Sequence, residues 1–206
     1  MAAVAVYCSA SERIDPAFPA LAAEVGTLLA ERGHSLVSGG GSISMMGAVA
    51  RAARAGGAHT LGVIPRELLA HEVGDLDADE LVVTDGMRER KGLMDAAADA
   101  FLVLPGGLGT LEELLEVWSA RALRMHAKPV VICDPTGALT PLREVVEHLV
   151  ALRFVHRAAA DDVVWTASAA QALDAVEEGL RAGHPAAADA EDARAEAVQE
   201  GLESLP

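Results

Sequence analysis

The chain has 206 residues, 51% of them hydrophobic but only 3% aromatic, and a formal net charge of −15. That is enough apolar sequence for the core of one α/β domain. The few aromatic rings and the lack of a broad basic surface exclude nucleic acid polymers as partners, because few bases could stack and no run of phosphates could be neutralised.

The first apolar run, VAVYC (4–8), reads as a strand, and a helix is expected over 16–32. A second strand, HSLVSG (34–39), runs into SGGGSISMMG, where Gly39, Gly40 and Gly41 are consecutive and Gly47 falls in the next helix, 44–56. Consecutive glycines match neither G-x-G-x-x-G nor the G-x-x-x-x-G-K-[ST] phosphate loop. Met45 and Met46 read as core or pocket lining. Strands HTLGVIP (59–65) and ELVVT (80–84) follow, and MRERK then leads a helix over 87–98. Arg88, Arg90 and Lys91 are cations at a helix N-terminus, where the macrodipole disfavours them unless a carboxylate or a bound phosphate compensates.

Strand AFLVLP (100–105) passes directly into PGGLGTLEELLEVW, with a helix expected over 110–124. Gly106, Gly107 and Gly109 let backbone N–H groups approach a ligand, and the helix dipole adds partial positive charge, a combination that suits a phosphate. Thr110 and Glu113 have the spacing of a capping box, the structural alternative for this turn. Glu112, Glu113 and Glu116 share one arc of the helix, while Leu111, Leu114, Leu115 and Trp118 fill the other side. Three carboxylates so close together repel one another unless a cation or a hydroxyl-rich ligand faces them.

Strand KPVVICD (128–134), a helix over 140–152, strand DVVWT (162–166) and a helix over 168–182 complete the alternation. The strands are apolar at nearly every position, as strands covered on both faces are. The expected fold is therefore a Rossmann-like doubly wound parallel sheet of about seven strands, with helices on both faces and ligands beyond the strands' carboxyl ends. One domain is expected over 1–182, followed by an acidic, Ala-rich tail over 183–206, either mobile or a loosely attached helix. No stretch reaches the roughly 18 apolar residues of a membrane span, and MAAVAVYCSASER has no basic leader, so a cytoplasmic protein without a membrane partner is expected. Cys8 and Cys133 read as buried thiols, His126 as structural, and no His/Cys set suggests a metal.

The motifs SGGGSISMMG, MRERK and PGGLGTLEE, in that order, resemble the LONELY GUY family of phosphoribohydrolases, whose members are often mislabelled lysine decarboxylases. VYCSAS, GVIP, HAKPVV and REVVEHLVALRFV extend the resemblance over about residues 4–160. It implies hydrolysis of the N-glycosidic bond of a nucleoside 5′-monophosphate of the AMP or isopentenyl-AMP type, releasing free base and ribose 5-phosphate without metal or cofactor. It places the catalytic residues on Glu113 and Arg90. Substrate contacts fall on Lys91, Glu72, Ser119, Glu112, Thr110, Gly106, Gly107, Gly109, Gly40 and Gly41. It also implies a homodimer or higher homo-oligomer. The chain departs from the family pattern at Ser44 and Arg124, both in place of glycine, and at Arg88 in place of His. Two alternatives stand beside this reading: a non-catalytic nucleotide or cofactor carrier on the same fold, and a pyridoxal-phosphate decarboxylase, for which only Lys91 and Lys128 could form the Schiff base.

Overall fold

The computed structural model describes residues 1–69 and 74–183. Glu72 and, but for Gly183, the whole of the expected tail lie outside the described residues. Seven parallel strands form one sheet: β1 (Ala3–Tyr7), β2 (Ser35–Ser38), β3 (Thr60–Pro65), β4 (Glu80–Thr84), β5 (Ala100–Val103), β6 (Val130–Cys133) and β7 (Val163–Thr166). Their spatial order is β4-β3-β2-β1-β5-β6-β7. Helices α1 (Ala17–Glu31), α2 (Ser44–Ala55), α4 (Met87–Ala97), α5 (Leu108–Ala122), α6 (Thr140–Ala151) and α8 (Ala169–Ala182) match the expected spans to within a few residues. Two short helices, α3 (Arg66–Leu69) and α7 (Arg157–Asp161), were not expected, since one turn carries no measurable 3.6-residue period.

The central strand shows how the two cores arise. Side chains alternate along a strand, so Val4, Val6 and Cys8 join the core under α1, α2 and α8, whereas Ala5 and Tyr7 join the core under α4 and α5. On the first face α1 and α2 pack closely because Gly26 has no Cβ; one placed there would lie 2.3 Å from the Val49 carbonyl oxygen. Both cysteines are buried, and burial pushes the Cys133 thiol up to about 11 and the Cys8 thiol further still, which keeps both protonated and unreactive.

From β1 the chain winds outward to β4, then returns to start β5 on the other side of β1. The loops leaving β1 and β5 therefore diverge, opening a crevice at the carboxyl ends of these strands. Two departures from the family pattern fall on special backbone. Ser44 (φ 51°) and Arg124 (φ 59°) both adopt the left-handed conformation in which glycine is unstrained. Replacing Arg124 by Gly is expected to stabilise the protein by about 0.5–1 kcal/mol and raise Tm by about 1–4 °C, read by thermal denaturation.

Candidate active site

Four segments follow the carboxyl ends of the strands on this side: the loop after β2 (Gly39–Gly41), the first turns of α4, the loop after β5 (Gly106, Gly107) and the start of α5. Arg90 ties three of them together. Its Nε donates to the Val63 carbonyl of β3 at 3.0 Å, and its Nη1 donates to Glu113 Oε1 of α5 at 2.7 Å. Its Nη2 lies over Gly39, where a Cβ would sit only 2.1 Å away. Both members of the ion pair are buried, with side chains 8% and 9% exposed. Charges this deep persist only when paired and hydrogen-bonded. Burial raises the Glu113 pKa, and the Arg90 guanidinium only partly opposes that rise.

Gly39→Ala tests the fit. The added methyl would displace the guanidinium from Glu113. Separating the two buried charges is expected to destabilise the protein by up to about 3–5 kcal/mol, read by urea unfolding.

Lys91, the next residue, bonds Glu112 and Glu116, the latter at 2.8 Å. These bonds raise its pKa. The carboxylates that share an arc of α5 thus face the cations of α4, and the electrostatic conflict each helix carries alone is resolved by the other. A lysine held charged in this way is the reverse of a Schiff-base nucleophile, which needs a depressed pKa. Lys128 is likewise engaged, with the Asp95 carboxylate at 2.9 Å and the Asp95 carbonyl at 2.6 Å.

The turn before α5 differs from the capping-box expectation. The helix starts at Leu108, with Gly107 at the cap and no side chain bonding the first turn's amides. Thr110 is the third helical residue and is buried; its Oγ1 would lie 2.1 Å from a Cβ on Gly106. A capping box requires Thr110 to precede the helix, so the early start removes it and leaves the first turn open at the crevice. Gly107 and Gly109 are exposed there, whereas Gly40 and Gly41 are buried.

Sequence reasoning missed two contributors. The Asp75 amide donates to the Gly40 carbonyl at 2.8 Å, and Asp75 is clamped by Arg54 through two bonds of 2.7 and 2.9 Å, fixing the first glycine loop from behind. No local pattern marks either residue. Tyr7, at the end of β1, stacks on Phe101 with centroids 5.9 Å apart, and Phe101 in turn meets His126 at 5.5 Å. Here the alternation of VAVYC could have placed Tyr7 on the face opposite Cys8. His126 has the structural role expected of it, with Nε2 3.0 Å from the Val117 carbonyl oxygen and burial lowering its pKa. Ser119 is exposed and lines a cavity between α4 and α5. Among the described residues no three His, Cys, Asp or Glu side chains converge as a metal site requires.

Comparison with known proteins adds a second line of evidence. A family model described as possible lysine decarboxylase matches residues 46–176. The chain is 48% identical over 182 residues to the cytokinin riboside 5′-monophosphate phosphoribohydrolase of Mycobacterium tuberculosis, covering 88% of this chain and 93% of that one. It is 42% identical over 152 residues to the enzyme of the same name from Oryza sativa subsp. japonica, covering 74% and 63%. Among solved structures, the molybdenum cofactor carrier protein of Chlamydomonas reinhardtii has the same fold, with a TM-score of 0.67, 22% identity, and coverage of 87% and 98%.

Proposed function

The chain belongs to the LONELY GUY family of cytokinin riboside 5′-monophosphate phosphoribohydrolases, and from this membership we propose that it cleaves the N-glycosidic bond of AMP or N6-isopentenyl-AMP, releasing free base and ribose 5-phosphate. Membership makes the protein a hydrolase. The observation that carries the specific reaction is the buried ion pair of Arg90 and Glu113 at the crevice where β1 and β5 part.

In this reading the 5′-phosphate lies over the open first turn of α5. The amides around Gly106, Gly107, Gly109 and Thr110 would receive it, each charge-assisted bond contributing about 1.5–3 kcal/mol. An acidic protein can thereby hold a phosphomonoester without a cluster of lysines. Cleavage of the bond between C1′ and the base nitrogen leaves oxocarbenium character on the ribose. The Glu113 carboxylate stabilises that charge and takes a proton from the attacking water, whose oxygen joins C1′. Arg90 holds Glu113 in place and offsets the negative charge that builds on the departing base, and the proton that Glu113 takes from water passes to the base nitrogen to give the free base. Lys91 and Glu112 contact the sugar or phosphate, Gly40 and Gly41 form the facing wall, and Ser119 and Glu72 complete the contacts. No metal or organic cofactor enters the scheme.

Incubation with a panel of nucleoside 5′-monophosphates and the matching nucleosides, with product analysis, tests the reaction. Free base and ribose 5-phosphate are expected from the monophosphates, with the unphosphorylated nucleosides slower by at least about 10²-fold for loss of the anchored phosphate. Binding without release of base would favour the carrier alternative. The same reading includes a homodimer in the cytoplasm. Exposed Phe154, Leu152 and Val145, on and after α6, where no residue is buried, supply an apolar surface for a second copy. Light scattering in solution is expected to return twice the 21.3 kDa chain mass or a higher multiple.

A further inference from the structure

Behind the first glycine loop lies an ion pair that the proposed reaction does not use. Arg54, in the last turn of α2, grips the Asp75 carboxylate with two bonds of 2.7 and 2.9 Å. Asp75 is 5% exposed and the Arg54 side chain 16%. Two charges so largely buried cost desolvation, and well-packed apolar residues in their place often stabilise a fold as much. What the pair supplies is a fixed geometry, because a guanidinium fork meets a carboxylate in one plane.

That geometry acts on one peptide unit. The Asp75 amide donates to the Gly40 carbonyl at 2.8 Å, and Gly41 forms an isolated antiparallel bridge with Gly74 beside it. A trans peptide carries its carbonyl and its N–H on opposite edges, so the Gly41 N–H points away from Asp75. No backbone carbonyl among the described residues accepts from it, although Gly41 is buried. A buried amide left open in this way calls for an acceptor brought by a ligand or by water. Glycine on both sides of this peptide lets it turn over at little cost, and Gly40 already has φ 74°. The bond from Asp75 is what sets its direction.

The surroundings are anchored separately from this clamp. The Asp79 carboxylate accepts from the Thr60 amide and hydroxyl at 2.8 and 2.9 Å, so the chain leading into β4 stays attached to β3 when Arg54 is changed. Arg90, which lies against Gly39 at the start of the loop, keeps its own bonds to Val63 and Glu113. The clamp therefore governs the loop and leaves the buried pair of the reaction in place.

We propose that Arg54 and Asp75 are positioning residues: they hold the Gly40–Gly41 peptide with the Gly41 N–H turned to an oxygen of the bound nucleotide. They set affinity, while the chemical step stays with Arg90 and Glu113. The assignment rests on the reaction proposed above and adds to it the residues that shape the wall facing the substrate.

The test measures kcat and KM for AMP, and Kd for AMP in the Glu113→Gln background, for Arg54→Met, Arg54→Lys and Arg54→Met/Asp75→Leu against the unchanged clamp. Arg54→Met is expected to raise KM and Kd by about tenfold, the fold-change of one lost hydrogen bond, with kcat within about twofold. Arg54→Lys, which keeps the charge and one bond to Asp75, is expected to limit the rise to about threefold. The double variant strands no charge, so it is expected to regain in urea unfolding the stability lost by Arg54→Met and to bind as weakly. Should Arg54→Met not fold, the double variant carries the same comparison. Amide hydrogen exchange gives a readout that needs no turnover: the Asp75 N–H is expected to exchange at least about tenfold faster once Arg54 is replaced by Met. An unchanged Kd in Arg54→Met overturns the proposal, as does a fall in kcat with Kd unchanged, or a double variant that regains affinity together with stability. If wild type does not cleave AMP, the reaction fails; Kd and the exchange rate then decide the clamp by the same criteria.

Discussion

Glu113→Gln is expected to lower kcat for base release by about 10²–10⁴-fold, the range associated with loss of a general base, while changing the Kd for nucleotide by only a few fold. The amide keeps the shape of the side chain and can still accept a bond from Arg90, but it carries no charge to stabilise the ribosyl cation. The pH profile provides a second readout. Burial raises the Glu113 pKa, so the active carboxylate is lost on acidification at a pH above the ordinary carboxylate range. The acid limb of kcat/KM is expected to lie there and to vanish in Glu113→Gln. The sign for stability follows from the same shift. A carboxyl with a native pKa above its unfolded one favours the native state fully below the unfolded pKa, and this contribution fades as pH rises through the raised value. Denaturant unfolding measured across that window should show the slope in wild type and not in the Gln variant. A Glu113→Gln enzyme with near wild-type turnover would remove Glu113 from the mechanism.

Arg90→Met is expected to destabilise the protein by about 3–5 kcal/mol, because it strands the Glu113 carboxylate in a buried site and strips the Val63 carbonyl of its donor. The double variant Arg90→Met/Glu113→Leu is expected to regain most of that loss, since it removes both charges, and to have no activity. Urea unfolding of the two singles and the double gives the coupling energy directly. If the double is as unstable as the sum of the singles, the two side chains do not act as one buried unit. Arg90→Lys is expected to be as inactive as Arg90→Met. A lysine amine lacks the planar fork that reaches Val63, Glu113 and the face of Gly39 at once.

The pairing of α4 with α5 also accounts for the acidic character of the site. The exposed Glu112 and Glu116 hold the half-buried Lys91 while Glu113 turns inward to Arg90, so one stretch of helix supplies both an exposed and a buried set of carboxylates. The exposed pair adds little to stability. Its consequence is orientation, since it fixes the register of the two helices and with it the position of the buried pair.

The strands and long helices were legible because each carries its own signal: unbroken apolar runs bounded by glycine or proline, and apolar stripes of 3.6-residue period. The glycine loops and the cations of MRERK were legible for the same reason, being dense local departures from the composition around them. Ser44 and Arg124 could be marked as departures from the family's glycines, and their positive φ values explain why glycine is usual there. The start of α5 was misjudged by two residues because its first turn is Leu-Gly-Thr, which resembles a loop until the rest of the helix supports it.

Local chemistry written along the chain was sufficient for the succession of strands and helices and for the parallel sheet, whereas it was the resemblance to the family that singled out Arg90 and Glu113. Their meeting at 2.7 Å, the Arg54–Asp75 clamp behind Gly40 and the stack of Tyr7 on Phe101 became visible only in the folded molecule. These contacts join residues from different crossovers, and their distances depend on how strands stack and helices cross. That information is held in packing between segments and leaves no periodic trace within any one of them.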